Sequence, residues 1–129
     1  MGHGFAASVL LVEDNEDIRE GLSTLLECER YEVTAVGSAE EGLAQLESRS
    51  FDLVITDYML PGESGGWMVE QAVKRGRQGT ARMMMITAHP RVVPPPGVRL
   101  LHKPLDIDVF LSTVEQELSL AAQHTAQAS

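Results

Sequence analysis

The chain has 129 residues, 43% of them hydrophobic and 22% charged, with a formal net charge of −9. That length suits one compact domain of about 100 to 150 residues, and the balance excludes a disordered or fibrous chain. With acids outnumbering bases 19 to 10, a phosphate-backbone partner is disfavoured, and no direct nucleic-acid contact is expected.

A single cysteine, Cys28, rules out an internal disulfide and a Cys-based zinc cluster. It suits a reducing cytoplasm and reads as a small buried apolar residue. The longest apolar run, Met83 to Ile86, is far shorter than the roughly 20 residues a bilayer requires, and no basic n-region precedes an apolar segment at the N-terminus. A soluble, cytoplasmic protein without a membrane segment is expected.

Ser8 to Val12 is short and aliphatic and stops abruptly at the acidic run Glu13, Asp14, Asn15, Glu16, Asp17, the pattern of a buried strand opening into a polar loop. Ile18, Leu22, Leu25 and Leu26 recur at helical spacing behind acids that favour a helix N-terminus. Tyr31 to Val36 reads as a second strand. Ser38 followed by Glu41 has the spacing of a capping box ahead of Leu43 and Leu46. Phe51 to Thr56 is a third strand ending at Asp57. The loop around Pro61, Gly62, Gly65 and Gly66 leads to a helix over Trp67 to Arg75. Met83 to Thr87 and Val98 to His102 complete the strands, and Asp106 caps a last helix carrying Val109, Phe110, Val114 and Leu118.

Wholly apolar strands alternating with amphipathic helices predict an α/β fold, a doubly wound parallel sheet of five strands with right-handed crossovers. In such folds ligands sit beyond the carboxyl ends of the strands. There the sequence puts Glu13 and Asp14, then Asp57, then Thr87, then Lys103. Carboxylates about 4 Å apart repel by roughly 1 kcal/mol in water and about 4 at an effective dielectric of 20, so three together need a cation. An all-oxygen set without His or Cys suits Mg²⁺, which commonly bridges to phosphate. Asp57 is then a carboxylate nucleophile for phosphoryl transfer, with Lys103 neutralising charge and Thr87 donating a hydrogen bond. The chain uses lysine twice against eight arginines, and a compact ammonium at position 103 fits a narrow phosphate site.

The segments VLLVEDNEDIR, LVITDYMLPGESGG, MMMITAH and LLHKPLD, each ending or following a predicted strand, resemble the signature segments of bacterial response-regulator receiver domains. The resemblance implies the flavodoxin-like strand order 2-1-3-4-5. The resemblance covers a receiver domain over residues 8–120; by their small, polar composition residues 1–7 read as a disordered end and residues 121–129 as a tail or linker. By resemblance Glu13, Asp14 and Asp57 hold Mg²⁺ together with the backbone carbonyl of Met59. Asp57 is the phosphoacceptor, Thr87 the switch hydroxyl, and Lys103, before a cis Pro104, pairs with phosphoryl oxygens. The small Ala88 leaves the site accessible. The implied partner is a histidine kinase or phosphotransfer domain, and the chain is a signalling phosphoacceptor rather than an enzyme, with intrinsic autophosphorylation and autodephosphorylation as its own chemistry. A hybrid histidine kinase is one parent consistent with it.

One region departs from that pattern. Only residues 88–102 separate Thr87 from Lys103, and they include Pro90, Pro94, Pro95 and Pro96. Interior proline costs a helix about 3 kcal/mol, and consecutive prolines favour an extended conformation. The fourth helix is therefore expected to be absent or a single turn. Leu100 stands where the family has its switch aromatic, so the usual output coupling is altered. The shortened crossover is expected to leave apolar sheet surface partly uncovered, available to a downstream partner or a second copy.

Two other readings compete. One is a degenerate receiver acting as a phosphorylation-independent interaction module, against which the intact acids and Lys103 argue. The other is an aspartyl-nucleophile phosphatase or phosphotransferase, which needs a second acid two residues after the nucleophile, where Met59 stands. No Walker-type or G-x-G-x-x-G loop follows a strand. His89 and His102 are expected at the surface, and Trp67 and Met83 to Met85 in the packing.

Overall fold

The computed structural model describes residues 7–128. Nine elements follow one another: β1 (Ser8–Val12), α1 (Glu16–Cys28), β2 (Glu32–Val36), α2 (Ala39–Ser48), β3 (Leu53–Asp57), α3 (Gly65–Lys74), β4 (Arg82–Thr87), β5 (Val98–His102) and α4 (Ile107–Ala128). The strands form one parallel sheet in the order β2-β1-β3-β4-β5. This is the doubly wound, flavodoxin-like arrangement expected from the alternation of apolar strands and amphipathic helices.

Period-two alternation divides each central strand between two cores. Leu10, Val12, Val54, Met83 and Met85 point to the face covered by α2 and α3, where Leu43, Leu46, Met68 and Val69 meet them. Val9, Leu11, Leu53, Ile55, Met84 and Ile86 point to the face covered by Leu22 and Leu26 of α1 and by Phe110 and Val114 of α4. The three methionines at the centre of β4 are core residues, and Trp67 packs half-buried at the edge of the first cluster.

Side-chain caps start the helices, at Ser38 and Asp106 as the sequence indicates, while Ser64 starts α3 at Gly65, two residues ahead of the expected Trp67. Asn15 accepts from the Ile18 N–H, Ser38 from Glu41, Ser64 from Trp67 and Asp106 from Val109. Each closes an otherwise orphaned donor of a first turn. In the Ser38 box the Glu41 carboxylate accepts from the Ser38 hydroxyl at 2.9 Å.

Residues 88–97 carry no helix. The segment ends in a turn in which the Val98 N–H donates to the Pro95 carbonyl at 3.1 Å with Gly97 at φ +82°. Pro96 then Gly97 are the residue types such a turn requires. Val92 packs against the first core in place of a helix, so Met83 and Met85 are buried, while Val98 and Leu100 on edge strand β5 stay half-buried and Val93 is 87% exposed. The apolar surface that the missing helix leaves half-covered lies along this edge.

Expectations for Cys28 and Val109 need correction, and Ile18 in the first turn of α1 is likewise exposed, at 43%. Cys28 is exposed: the buried face of α1 runs through Leu22 and Leu26, and at about 100° per residue a position two beyond Leu26 points to the opposite side. Val109 is exposed because the buried stripe of α4 runs through Phe110, Thr113, Val114, Glu117 and Ala121. Helix α4 runs on to Ala128, and just ahead of β1 the Ala7 carbonyl accepts from the Glu32 N–H at 2.8 Å; residues 1–6 and 129 lie outside the described residues.

Candidate functional site

β1 and β3 are neighbours in the sheet, so the residues ending them are brought together. Asp57 is the last residue of β3, and Glu13 follows β1, its N–H donating to the Val36 carbonyl at 3.0 Å. Both side chains are buried, and Asp14 beside them is exposed. One carboxylate oxygen from each of Glu13, Asp14 and Asp57 lies within 4.8 Å of the other two. From β5 on the other side, Lys103 Nζ donates to Asp57 Oδ2 at 3.0 Å.

Thr87 ends β4 directly beyond Ile86, the partner of Asp57 in the ladder. The Thr87 side chain is buried, and its oxygen accepts from the His89 N–H at 3.0 Å, which leaves the hydroxyl proton available to a further acceptor. The Lys103 N–H donates to the Thr87 carbonyl at 2.8 Å, tying the fifth strand end to the fourth. The Lys103–Pro104 peptide is cis, as the resemblance implies. Met59 lies in the loop after β3 with its side chain 65% exposed, and His89 and His102 are at the surface.

The electrostatics reflect this crowding. Burial, and then the hydrogen bond and charge of Asp57, raise the Glu13 carboxyl to about 7 from its ordinary 4.5. Burial works against the charge on Lys103, yet the hydrogen bond and charge of Asp57, with Glu13 and Asp14 adding to them, hold its pKa above 10.5. Three carboxylates face one ammonium. The set is entirely oxygen, open at Asp14 and short of positive charge, which fits a hard divalent cation such as Mg²⁺.

Sequence reasoning missed the residues that shape this site from behind. Arg19 Nη1 donates to the backbone carbonyls of Glu13 at 2.8 Å and Asp14 at 3.4 Å. The Thr56 hydroxyl donates to the Asp57 carbonyl at 2.9 Å. Gly65 opens α3 so close to the Asp57 carbonyl that a Cβ there would overlap it. Gly65 was visible as a loop glycine, but only the fold shows which backbone it meets.

A family model for the response regulator receiver domain matches residues 9–115. The chain belongs to that family. Among curated proteins this receiver domain is similar to the sensory transduction protein RegX3 of Mycolicibacterium smegmatis, 40% identical over 81 residues, which are 63% of this chain and 34% of RegX3. A second relative is the CAI-1 autoinducer sensor kinase/phosphatase CqsS of Vibrio cholerae, 39% identical over 57 residues, 44% of this chain and 8% of CqsS. The chain thus spans about a third or less of the length of these relatives.

Solved structures agree. The receiver domain of the hybrid histidine kinase CckA superposes with a TM-score of 0.77 at 34% identity, over 86% of this chain and 98% of that one. The chemotaxis response regulator CheY4 of Vibrio cholerae does so with a TM-score of 0.76 at 26% identity over the same shares. Receiver domains are signalling domains of two-component systems, and among the described residues no helix is long and apolar enough to cross a membrane.

Proposed function

We propose that this receiver domain accepts a phosphoryl group on Asp57 from a histidine kinase or phosphotransfer protein in the cytoplasm, with Mg²⁺ as cofactor. The observation that carries this is the convergence of Glu13, Asp14 and Asp57 within 4.8 Å, with Lys103 at 3.0 Å from Asp57. Glu13, Asp14 and Asp57 would hold the ion, with the Met59 backbone carbonyl as a further oxygen. When bound, the ion supplies positive charge to the non-bridging oxygens of the incoming phosphoryl group.

The chain's own residues do the rest. The β3 terminus fixes the Asp57 carboxylate, one oxygen of which is engaged by Lys103, leaving the other to form the new O–P bond. As that bond forms, the P–N bond to the donor imidazole breaks, and its electron pair stays on the ring nitrogen, which takes up a proton. Lys103 neutralises charge on the transferred group, and the Thr87 hydroxyl donates to one of its oxygens. Ala88 adds no bulk beside the site.

On this reading the chain is a phosphoacceptor that takes phosphate from a small donor and hydrolyses its own aspartyl phosphate, not an enzyme turning over an external substrate. The half-buried β5 edge, with Leu100 in place of a switch aromatic, is the surface where a downstream protein or a second copy would read the phosphorylated state. A donor or parent of the hybrid-kinase type is supported by the similarity to the CckA receiver domain and to CqsS.

The test is incubation with Mg²⁺ and acetyl phosphate, followed by intact-mass measurement of the native chain and of Asp57→Asn. A Mg²⁺-dependent gain of one phosphoryl group that the variant lacks is the expected result. No gain in the native chain overturns the reading in favour of a phosphorylation-independent interaction module.

A further inference from the structure

Glu13 and Asp14 hang from a short stretch of chain tied to the sheet through the Glu13 N–H, which donates to the Val36 carbonyl of β2 at 3.0 Å. The β1–β3 ladder ends at Val12, and α1 begins only at Glu16, so the Glu13 and Asp14 carbonyls have no partner strand. Their side chains must nevertheless sit together against mutual repulsion. What fixes them is a closed circuit within the segment. The Asn15 N–H donates to Glu13 Oε2 at 3.0 Å, the Arg19 N–H donates to the Asn15 carbonyl at 2.9 Å, and Arg19 Nη1 returns to the Glu13 and Asp14 carbonyls at 2.8 and 3.4 Å.

Arg19 is unusual among the described arginines in what it engages. Acids surround it in sequence at Glu16, Asp17 and Glu20, yet its side-chain hydrogen bonds go to two main-chain carbonyls. The neighbouring β2–α2 connection accommodates this: a Cβ at Gly37 would come within 3.2 Å of Arg19 Nη1. The guanidinium therefore reaches the acidic loop from its backbone side, and the opposite, carboxylate side stays open.

We infer that Arg19 is a positioning residue for the cation site: by bridging the Glu13 and Asp14 carbonyls it presets both carboxylates for a divalent ion, and it touches neither ion nor phosphoryl group. This rests on the Mg²⁺-dependent reading of the site. The planar, forked guanidinium suits two acceptors at once, which an ammonium does not. Second-layer partners of metal ligands commonly account for tenfold to hundredfold in affinity.

The test is calorimetric Mg²⁺ titration of the full chain as native protein, Arg19→Ala and Arg19→Lys. Alongside it, the melting temperature is read without Mg²⁺ and the acetyl phosphate reaction rate at saturating Mg²⁺. Arg19→Ala should bind Mg²⁺ about tenfold more weakly, with a saturating rate within about threefold of native and a melting temperature within a few degrees of it. Arg19→Lys, which keeps the charge but spans the carbonyls poorly, should fall between the two. Unchanged affinity in Arg19→Ala overturns the inference and leaves the phosphoacceptor reading standing. So does full recovery in Arg19→Lys, which would assign the effect to charge alone. A native chain that binds no Mg²⁺ overturns both. If Arg19→Ala does not fold, the affinity of Arg19→Lys decides: native-like affinity overturns the inference, and severalfold weaker binding at an unchanged melting temperature supports it.

Discussion

Lys103, 46 residues beyond Asp57 in the chain, brings its ammonium to 3.0 Å of the Asp57 carboxylate. The contact joins the ends of two strands separated in the sheet by β4. Among the described residues, Lys103 is the base whose side chain is ion-paired with the three-acid cluster. Replacing it with alanine is expected to leave Mg²⁺ affinity equal or higher, because a competing cation is gone. The rate of phosphorylation by acetyl phosphate at saturating Mg²⁺ should fall by about a hundredfold, the scale of losing one charged donor to a transition state. Equal loss of Mg²⁺ binding would instead mean that Lys103 holds the site together.

Much of this site was legible because each contributing strand carries an aliphatic run followed within two residues by a polar site residue. Val9 to Val12 before Glu13, Leu53 to Ile55 before Asp57 and Leu100 to Leu101 before Lys103 mark the strand ends in the sequence before they are neighbours in space. The proline-rich replacement of a helix was legible for the same reason, since Pro94 to Pro96 leave little choice of backbone. What was not legible depends on partners distant in sequence. Nothing in the sequence pairs Glu117 with Arg82 and Arg99, 35 and 18 residues earlier, and nothing at Gly65 names the Asp57 carbonyl as its neighbour. Cys28 was misassigned because composition alone says nothing about which side of α1 faces the sheet.

Glu13 gives the ion-free protein a pH signature. Its carboxyl is raised from 4.5 to about 7, chiefly by burial, so between those values the folded chain keeps a proton that the unfolded chain has released. Stability from this group is complete below pH 4.5, declines as pH rises, and is gone above about 7. The loss is on the order of 1 to 3 kcal/mol. Urea unfolding from pH 5 to 8 should show this slope in the native chain and not in Glu13→Gln. Mg²⁺ should stabilise the native chain more at pH 8 than at pH 5.5, because the ion binds the deprotonated form. A native slope identical to that of the glutamine variant would contradict the assignment.

Gly65 and Gly66 make a matched pair. A Cβ on Gly65 would overlap the Asp57 carbonyl and approach Thr56 Oγ1 to 2.8 Å, while one on Gly66 meets a side chain rather than backbone, the ring of half-buried Tyr58 at 3.0 Å. Gly65→Ala is expected to lose about 2 kcal/mol by overpacking and to slow phosphorylation as the Asp57 backbone moves. Gly66→Ala, gaining helix propensity, should be within about 1 kcal/mol of native with an unaltered rate. Denaturant titration and the acetyl phosphate assay on both variants separate backbone crowding from any general intolerance of the loop.

Glu117 is buried to 2% exposure on the inner stripe of α4, with Arg82 Nε at 3.0 Å and Arg99 Nη1 at 3.6 Å. A lone carboxylate at that depth would be costly, so the two arginines, from the first turns of chain in β4 and β5, fix where α4 lies on the sheet. Arg82→Ala leaves the acid with only the longer, more exposed contact, and it should lose about 1 to 3 kcal/mol after allowing for solvent screening of Arg82. Arg99→Ala should cost less than about 1 kcal/mol. Arg82 starts β4 and Thr87 ends it, so phosphorylation at the opposite end of the strands should proceed at the native rate in both variants. An Arg82→Ala chain that unfolds at the native denaturant midpoint would show that packing alone seats the helix.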